Sequence, residues 1–348
     1  MHRPDKLVAR LSRRRDIDTV KAIYVAADLE RAIFLHEGVA GDFVAGGCCK
    51  RGQRCGEQRP KNTRMTKEVR VVLHCAGPYI HTSKLMVQAC LRTGAHYLDP
   101  TGEIPVYEAI AAQDAQAKAQ GVMLLPAVGF DMAPTDCLAV HLKRWLPSAT
   151  FLTLAFQVED PAGLPAGTQR TAIELIPYGD SVRRNGRLVA PERRVKICPV
   201  DFGSGPVQAT RLTWGDVLAA YFSTGIPNIE DYAVLPKALR SWPAICDPCS
   251  GWRPCVICLN EVSGRERRPT SASAPRCMCG AKSKTRKVAA RSHACTAGRW
   301  TRVDLAIGHR GWAEDIERQC PPGFQTPGMA YGADFILECE GVTREDVA

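Results

Sequence analysis

Apolar residues in this chain come in short runs cut by turn residues. Val69-Arg-Val-Val-Leu-His-Cys-Ala76 is a β-branched run that stops at Gly77-Pro78, the pattern of a buried strand ending in a turn. Thr82 or Ser83 then caps a helix that carries Leu85, Met86, Ala89 and Cys90 at helical spacing, and Gly94 stands where a helix favours a left-handed residue. Residues 96–99 make a second short strand. Pro100-Thr-Gly-Glu103 is a second turn, after which Pro105 opens an alanine-rich helix running to Gln120 and closed by Gly121. Val122-Met-Leu-Leu-Pro126 is a third apolar strand, followed by a turn at Gly129-Phe-Asp-Met-Ala-Pro134 and a helix over residues 135–145.

Strand and helix therefore alternate three times. At these lengths the alternation predicts right-handed crossovers, a parallel sheet with helices on both faces, and ligands held outside the carboxyl ends of the strands. Three turns are expected on that rim, and they supply the candidate cofactor-binding residues: Cys75, Ala76, Gly77 and Pro78; Thr101, Gly102 and Glu103; and Gly129, Phe130 and Asp131. Beyond residue 150 the texture changes. Residues 151–158, 195–200 and 207–212 read as strands, with turns at Asn185-Gly186 and Gly203-Ser-Gly-Pro206, so a second, sheet-rich domain is expected.

The formal charge of +10 suggests nucleic acid until it is placed along the chain. Residues 1–67 carry 15 Lys/Arg against 8 Asp/Glu and residues 244–310 carry 13 against 4, whereas all other residues carry 18 against 24. The foldable parts are mildly acidic, which argues against a nucleic-acid groove built into the core. The start of the chain, with Arg13-Arg14-Arg15, has no apolar signal-like run, and the apolar stretch 122–130 is far shorter than the roughly 18–20 residues of a membrane span. A cytoplasmic, reducing setting is expected, with the 16 cysteines not presumed to be disulfides.

Seven of those cysteines lie in residues 244–310. Cys246-x-x-Cys249 and Cys255-x-x-Cys258, with Cys277, Cys279, His293 and Cys295 beyond, have the residue types of a tetrahedral zinc site. Only five residues separate the two pairs, tighter than ordinary ribbon or finger spacing, and the block is arginine- and serine-rich. A solvated, disordered insertion is the favoured expectation there, and a zinc-binding interaction module the alternative.

Within residues 68–243, Val71-Val-Leu-His-Cys-Ala-Gly-Pro-Tyr79, Ala89-Cys-Leu-Arg-Thr-Gly-Ala-His-Tyr-Leu-Asp99 and Thr101-Gly-Glu103 resemble the saccharopine dehydrogenase-like oxidoreductases and the related trans-acting enoyl reductases. The resemblance continues through Gly129-Phe-Asp131, Pro134, Asp136, Gly167-Thr168, Thr171, Trp214-Gly-Asp216 and Ser223-Thr-Gly-Ile-Pro-Asn-Ile229, and again over residues 321–343. It implies a Rossmann-like NADP- or NAD-binding domain, a second mixed-sheet α+β domain, and hydride transfer to a small or lipid-linked substrate. For the enoyl reductase branch the implied substrate is an unsaturated acyl or polyketide intermediate, which allows peripheral association with a membrane or lipid droplet.

The sequence departs from that pattern at its start. The family's first strand should enter a Gly-x-x-Gly-x-x-Gly turn that cradles the cofactor phosphates, and glycines 38, 41, 46, 47, 52 and 56 do not form one. The first βαβ unit is thus expected to be missing. The resulting expectation is an atypical segment 1–67, a partial Rossmann-like domain 68–150, a second domain from 151–243 and 311–348, and the insertion 244–310. Glu103 and Asp131 suit a general acid or a group orienting a cofactor ribose, and equally a helix cap. Asp136 reads as a first-turn charge complementing a helix dipole, and His74, His81 and His96 as structural. With the glycine turn missing, a non-catalytic remnant or lipid-surface binding protein is the alternative to an enzyme.

Overall fold

A mainly apolar, β-branched run becomes a central strand, and this is where Val71–Cys75 lies in the computed structural model. That structure describes residues 71–75, 77–129, 132–157, 171, 175, 181–192, 196–202, 205–234, 321–338 and 342–344, and the backbone of residues 22–26, 32–36, 39–43, 158–159, 276–284, 291–298 and 345–347. The chain divides into two units. Unit 1 is residues 1–101, 105–128 and 308–325, and unit 2 is residues 102–104, 129–307 and 326–348.

Unit 1 is built on one sheet. Its strands are β1 (Ala22–Ala26), β2 (Ala32–His36), β3 (Val39–Phe43), β4 (Val71–Cys75), β5 (His96–Leu98), β6 (Met123–Leu125) and β15 (Gly323–Phe324), in the order β15-β6-β5-β4-β1-β2-β3. The five from β15 to β1 are parallel, and β2 and β3 continue the sheet antiparallel. Val71, Val72, Tyr97, Leu98 and Met123 through Leu125 are almost fully buried, as expected of a parallel sheet covered on its faces.

The helix after β4, α1 (Tyr79–Thr93), buries Met86, Val87, Cys90 and Leu91 and ends at Gly94, whose φ of 78° is left-handed and whose N–H donates to the carbonyl of Cys90. It begins three residues earlier than the expected cap. Instead of capping, the Thr82 hydroxyl bonds back to the Pro78 carbonyl (3.4 Å) and to His74 Nε2 (2.9 Å). The alanine-rich stretch is two helices, α2 (Ile104–Ala111) and α3 (Asp114–Ala119), broken at residues 112–113. The break is used: Asp114 Oδ1 accepts from the N–H of Phe324 (2.9 Å), and Phe324 meets the Tyr107 ring edge-on, tying β15 to the sheet.

Unit 2 starts from α4 (Met132–Trp145) and β7 (Phe151–Glu159). Its sheet runs β10 (Ile197–Asp201), β11 (Pro206–Arg211), β12 (Asn228–Val234), β7, β13 (Arg276–Lys284), β14 (Arg291–Gly298), β16 (Thr343–Val347), with β8 (Val182–Arg184) and β9 (Arg187–Val189) attached to β12 as a hairpin. Only the β12–β7 pair is parallel; the rest are antiparallel, the mixed sheet expected. Asn185-Gly186 turns the β8–β9 hairpin, both with positive φ (49° and 79°), the geometry a two-residue hairpin requires. Helices α5 (Asp216–Thr224) and α6 (Pro327–Tyr331) pack with α4.

Two expectations change. The segment 1–67 supplies three strands to the first sheet, and β1 lies parallel beside β4; the connection from β1 passes through the antiparallel pair β2–β3, not a simple crossover. The insertion 244–310, expected to be disordered, contributes β13 and β14 to the middle of the second sheet. Cys246, Cys249, Cys255 and Cys258 lie outside the described residues, as do Ala76, Phe130 and Asp131.

Candidate functional site

The parallel strands of unit 1 end on one rim. Cys75 is the last residue of β4 and is half-buried, and Gly77 and Pro78 lead from it directly into α1. Pro78 is extended (φ −65°, ψ 132°), makes no side-chain cap bond, and is followed by no acidic residue in the first turn. A 15-residue helix that opens without a carboxylate keeps the positive end of its dipole for an anion. A Cβ on Gly77 would come within 3.2 Å of the Tyr79 ring, so the turn is close-fitted.

Beside it, the turn after β5 is organised by Asp99, which is fully buried. Its carboxylate accepts from the Tyr97 hydroxyl (2.5 Å) and the Thr101 N–H (2.9 Å), and its carbonyl accepts from the N–H of Val128 (3.0 Å) after β6. One aspartate thus fixes two turns of the rim, and Thr101 is held buried by it. Burial, and then the Asp99 carboxylate, push the Tyr97 phenol well above its ordinary value, so it stays a donor.

Behind Cys75 stands His74. It is buried, and burial lowers its pKa to about 4, which keeps the ring neutral at ordinary pH. Nε2 is within 2.9 Å of the Thr82 hydroxyl, whereas Nδ1 meets no partner among the described residues. The sequence marks His74 as structural; its place next to the rim, with one ring nitrogen uncommitted, is visible only in three dimensions.

The other candidates belong to unit 2. Gly102 lies under the Trp214 indole: a Cβ there would sit 2.1 Å from Nε1 and 2.3 Å from Cε2. The Gly102 carbonyl accepts from the N–H of Gly215 (3.0 Å), the residue next to Trp214. Glu103 is buried and takes a long bond (3.5 Å) from the Thr171 hydroxyl. Gly129 is buried and its carbonyl accepts from Ala133 N–H (3.0 Å), which starts α4.

Asp136, read from sequence as a dipole charge, has a different role. It is buried, takes the Ser223 hydroxyl of α5 on Oδ1 (2.5 Å) and the Gly328 N–H of α6 on Oδ2 (2.6 Å), and so joins three helices. Burial raises its pKa, against the hydrogen bonds from Ser223, Thr326 and Gly328 that favour the charge. Next to it in sequence, the Thr135 hydroxyl bonds the Asp216 carboxylate. Among the described residues no group of three His, Cys, Asp or Glu side chains is arranged to hold a metal ion.

Residues 8–125, which include the β4 and β5 turns of this rim and end at the last residue of β6, match the family model described as the saccharopine dehydrogenase NADP binding domain. The chain is similar to the saccharopine dehydrogenase-like oxidoreductases. A protein of that name from Bos taurus is 27% identical over 144 residues, 39% of this chain and 32% of the bovine protein. A trans-acting enoyl reductase from Mycobacterium leprae (strain TN) is 38% identical over 81 residues, 23% of this chain and 19% of that protein. A lipid droplet localized protein from Caenorhabditis elegans is 33% identical over 81 residues, covering 23% of this chain and 19% of the relative. The matched stretch thus spans about a third or less of each of these relatives.

In fold, the apo saccharopine dehydrogenase (L-Glu forming) from Saccharomyces cerevisiae superposes with a TM-score of 0.54 over 84% of this chain and 88% of that one, at 10% identity. The Rossmann-like α/β class with a second mixed-sheet unit agrees with this. The family-model match begins at residue 8 and so reaches into residues 1–67, which the sequence pattern reads as an atypical segment. The cofactor class that the domain match supports is NAD(P).

The rim fits such a group in part. A dinucleotide needs a backbone approach at a strand end and an anion-tolerant helix start, and both exist at Cys75, Gly77, Pro78 and α1. The glycine-rich turn that would hold the pyrophosphate is not in the sequence.

Proposed function

We propose that this chain works as an NAD(P)-dependent oxidoreductase of the saccharopine dehydrogenase-like class, with an unsaturated acyl or polyketide group as the favoured substrate. The observation that supports it is the rim of the parallel sheet, where Asp99 locks the β5 turn to the turn after β6 next to the carboxylate-free start of α1; the β4 and β5 turns lie inside a span, residues 8–125, similar to an NADP binding domain. NAD(P), when bound, supplies the hydride. The chain's part is to hold it: Cys75, Gly77 and Pro78 offer close backbone, and Thr101 is fixed by Asp99. Ala76, Gly102, Glu103, Gly129, Phe130 and Asp131 stay in the proposed cofactor-binding set on the sequence resemblance. Orienting the two reactants is the main task in a hydride transfer, so the scarcity of ionisable groups on the rim is compatible with it.

The test is NADPH consumption with an α,β-unsaturated acyl thioester, run beside Gly77→Val. Turnover that the variant loses supports the proposal. A chain that binds NADPH yet never consumes it with any enoyl substrate removes the enoyl part and leaves the cofactor part.

A second reading concerns location. No described helix is long and apolar enough to cross a membrane. Trp145, Phe222, Met329 and Leu337 nevertheless stand exposed on helical segments of unit 2, and one relative carries a lipid droplet name. Peripheral lipid contact is proposed from these, and flotation of the chain with phospholipid-coated triglyceride droplets tests it.

A further inference from the structure

The second sheet carries a group of charges that the oxidoreductase reading does not use. Successive residues of a strand take opposite faces. On β8, Arg183 is buried on the face toward α5, its guanidinium 3.9 Å over the Tyr221 ring, so Arg184 lies on the other face. Arg184 is the direct partner of Arg187 on β9, and Arg183 is the partner of Ile229 on β12, which puts Glu230 and Tyr232 on the face of Arg184. Arg211 on β11 is the partner of Tyr232, and its N–H donates to the carbonyl of Lys196 (2.8 Å), the residue before β10. Arg184, Arg187, Lys196 and Arg211 thus meet on one face of β8 to β12, where Glu230 is the only carboxylate among the described side chains.

Glu230 organises this group. Its carboxylate is nearly buried, accepts from the Arg184 guanidinium on Oε1, and accepts on Oε2 from the Lys196 ammonium (2.6 Å) and the Tyr232 hydroxyl (2.7 Å). Two cations are thereby held side by side on the two oxygens of one group. Neither is used up. Lys196 has three N–H groups and gives one to Glu230; Arg184 has five and gives two, the second to the Arg183 carbonyl (2.9 Å). Their side chains stay 37% and 46% exposed, for Arg184 and Lys196 respectively. Arg187 is exposed as well. Like charges directly opposite each other on paired strands destabilise the pair, as Arg184 and Arg187 do here. One carboxylate does not neutralise four cations, and an anion seated among them relieves both the hairpin repulsion and the surplus charge.

We propose that Arg184, Arg187 and Lys196 bind a phosphate group on this face of unit 2, with Glu230 holding Arg184 and Lys196 in position and Arg211 adding its charge. Partly buried apolar side chains, Val200, Val207 and Val234, pack on the same side around Ala209 and Tyr232, so an apolar tail on the phosphate has a surface to lie on. The site stands apart from the rim of unit 1 and does not depend on the enzyme reading.

The test is calorimetric titration of the purified full chain with glycerol 3-phosphate and, separately, with monomeric dihexanoyl phosphatidic acid, which share a phosphomonoester head and differ in the acyl chains. Saturable binding is expected. Tighter binding of the acylated ligand assigns the site to a phosphorylated amphiphile, and equal binding assigns it to the phosphate alone. Arg187→Gln, which leaves the Glu230 bonds untouched, and Lys196→Gln should each weaken binding about fivefold or more. Lys118→Gln, which removes an exposed cation of unit 1, and Gly77→Val on the rim should leave it unchanged. A wild-type chain that binds neither ligand overturns the proposal. So does binding that Gly77→Val loses and Arg187→Gln keeps, which puts the phosphate at the rim, and so does an equal loss in Lys118→Gln and Arg187→Gln, which reduces the effect to overall charge.

Discussion

Gly102 has no room for a side chain. A Cβ there would overlap the Trp214 indole at 2.1 Å, and the indole is buried. Gly102→Ala is expected to destabilise unit 2 by about 1–3 kcal/mol, the usual range for overpacking, read as a lower urea midpoint at unchanged slope. Asp136 makes a second residue-scale claim. Replacing it by alanine leaves the Gly328 N–H without its acceptor and the Ser223 hydroxyl with only a long bond (3.4 Å) to the Ala220 carbonyl, and a loss of about 2–4 kcal/mol is expected. A surface dipole charge, as the sequence suggested, would cost only about 0.3–1 kcal/mol, so the same denaturation curve separates the two roles.

At the scale of elements, β4 and α1 carry the pH dependence. His74 sits at about 4 in the folded chain against an ordinary 6.5, because burial disfavours its charged form. The unfolded chain therefore takes up a proton over that window and the folded chain does not. Stability falls as pH drops from 6.5 toward 4 and flattens below, by on the order of 3 kcal/mol for a shift of this size. Asp136 works in the other sense: its raised pKa gives a contribution present at low pH and lost as pH rises. Comparing wild type with His74→Gln isolates the first slope, which should disappear in the variant. Glu230 on β12 adds a third. Burial alone would raise it, but bonds from Lys196, Tyr232 and Arg184 hold it at about 2, so its contribution is lost only as pH falls from the ordinary carboxylate range through that value.

These elements also show what a sequence can carry. The strands at 71–75, 96–98 and 123–125, Gly94 as a helix stop and the Asn185-Gly186 hairpin were legible because period, β-branching and glycine placement are local. The cap expected at Thr82 or Ser83 falls inside α1, because a hydroxyl in a first turn can bond backward, as Thr82 does to Pro78, as well as forward. The roles of Asp99 and Asp136 were not legible, since each depends on groups supplied from other turns or helices: Val128 for the first, Ser223 and Gly328 for the second. Strands β13 and β14 were missed for a related reason. Their composition is that of a solvated segment, and only pairing with β7 and β16 makes them strands.

For the whole molecule the two units pose separate questions. Unit 1 offers a parallel sheet whose β4, β5 and β6 turns are set by Asp99 and by the start of α1, and whose span is similar to an NADP binding domain. Unit 2 offers a mixed sheet backed by helices, with a buried carboxylate tying those helices and a cysteine-bearing ribbon at its centre. A ligand that binds only the folded chain raises its stability by mass action. The central claim, that unit 1 holds NAD(P), is tested most directly by the thermal stability of the full chain with and without NADPH up to millimolar concentration. A saturable upward shift, reduced in Gly77→Val, is the expected result; a melting temperature indifferent to NADPH and NADH alike would contradict it.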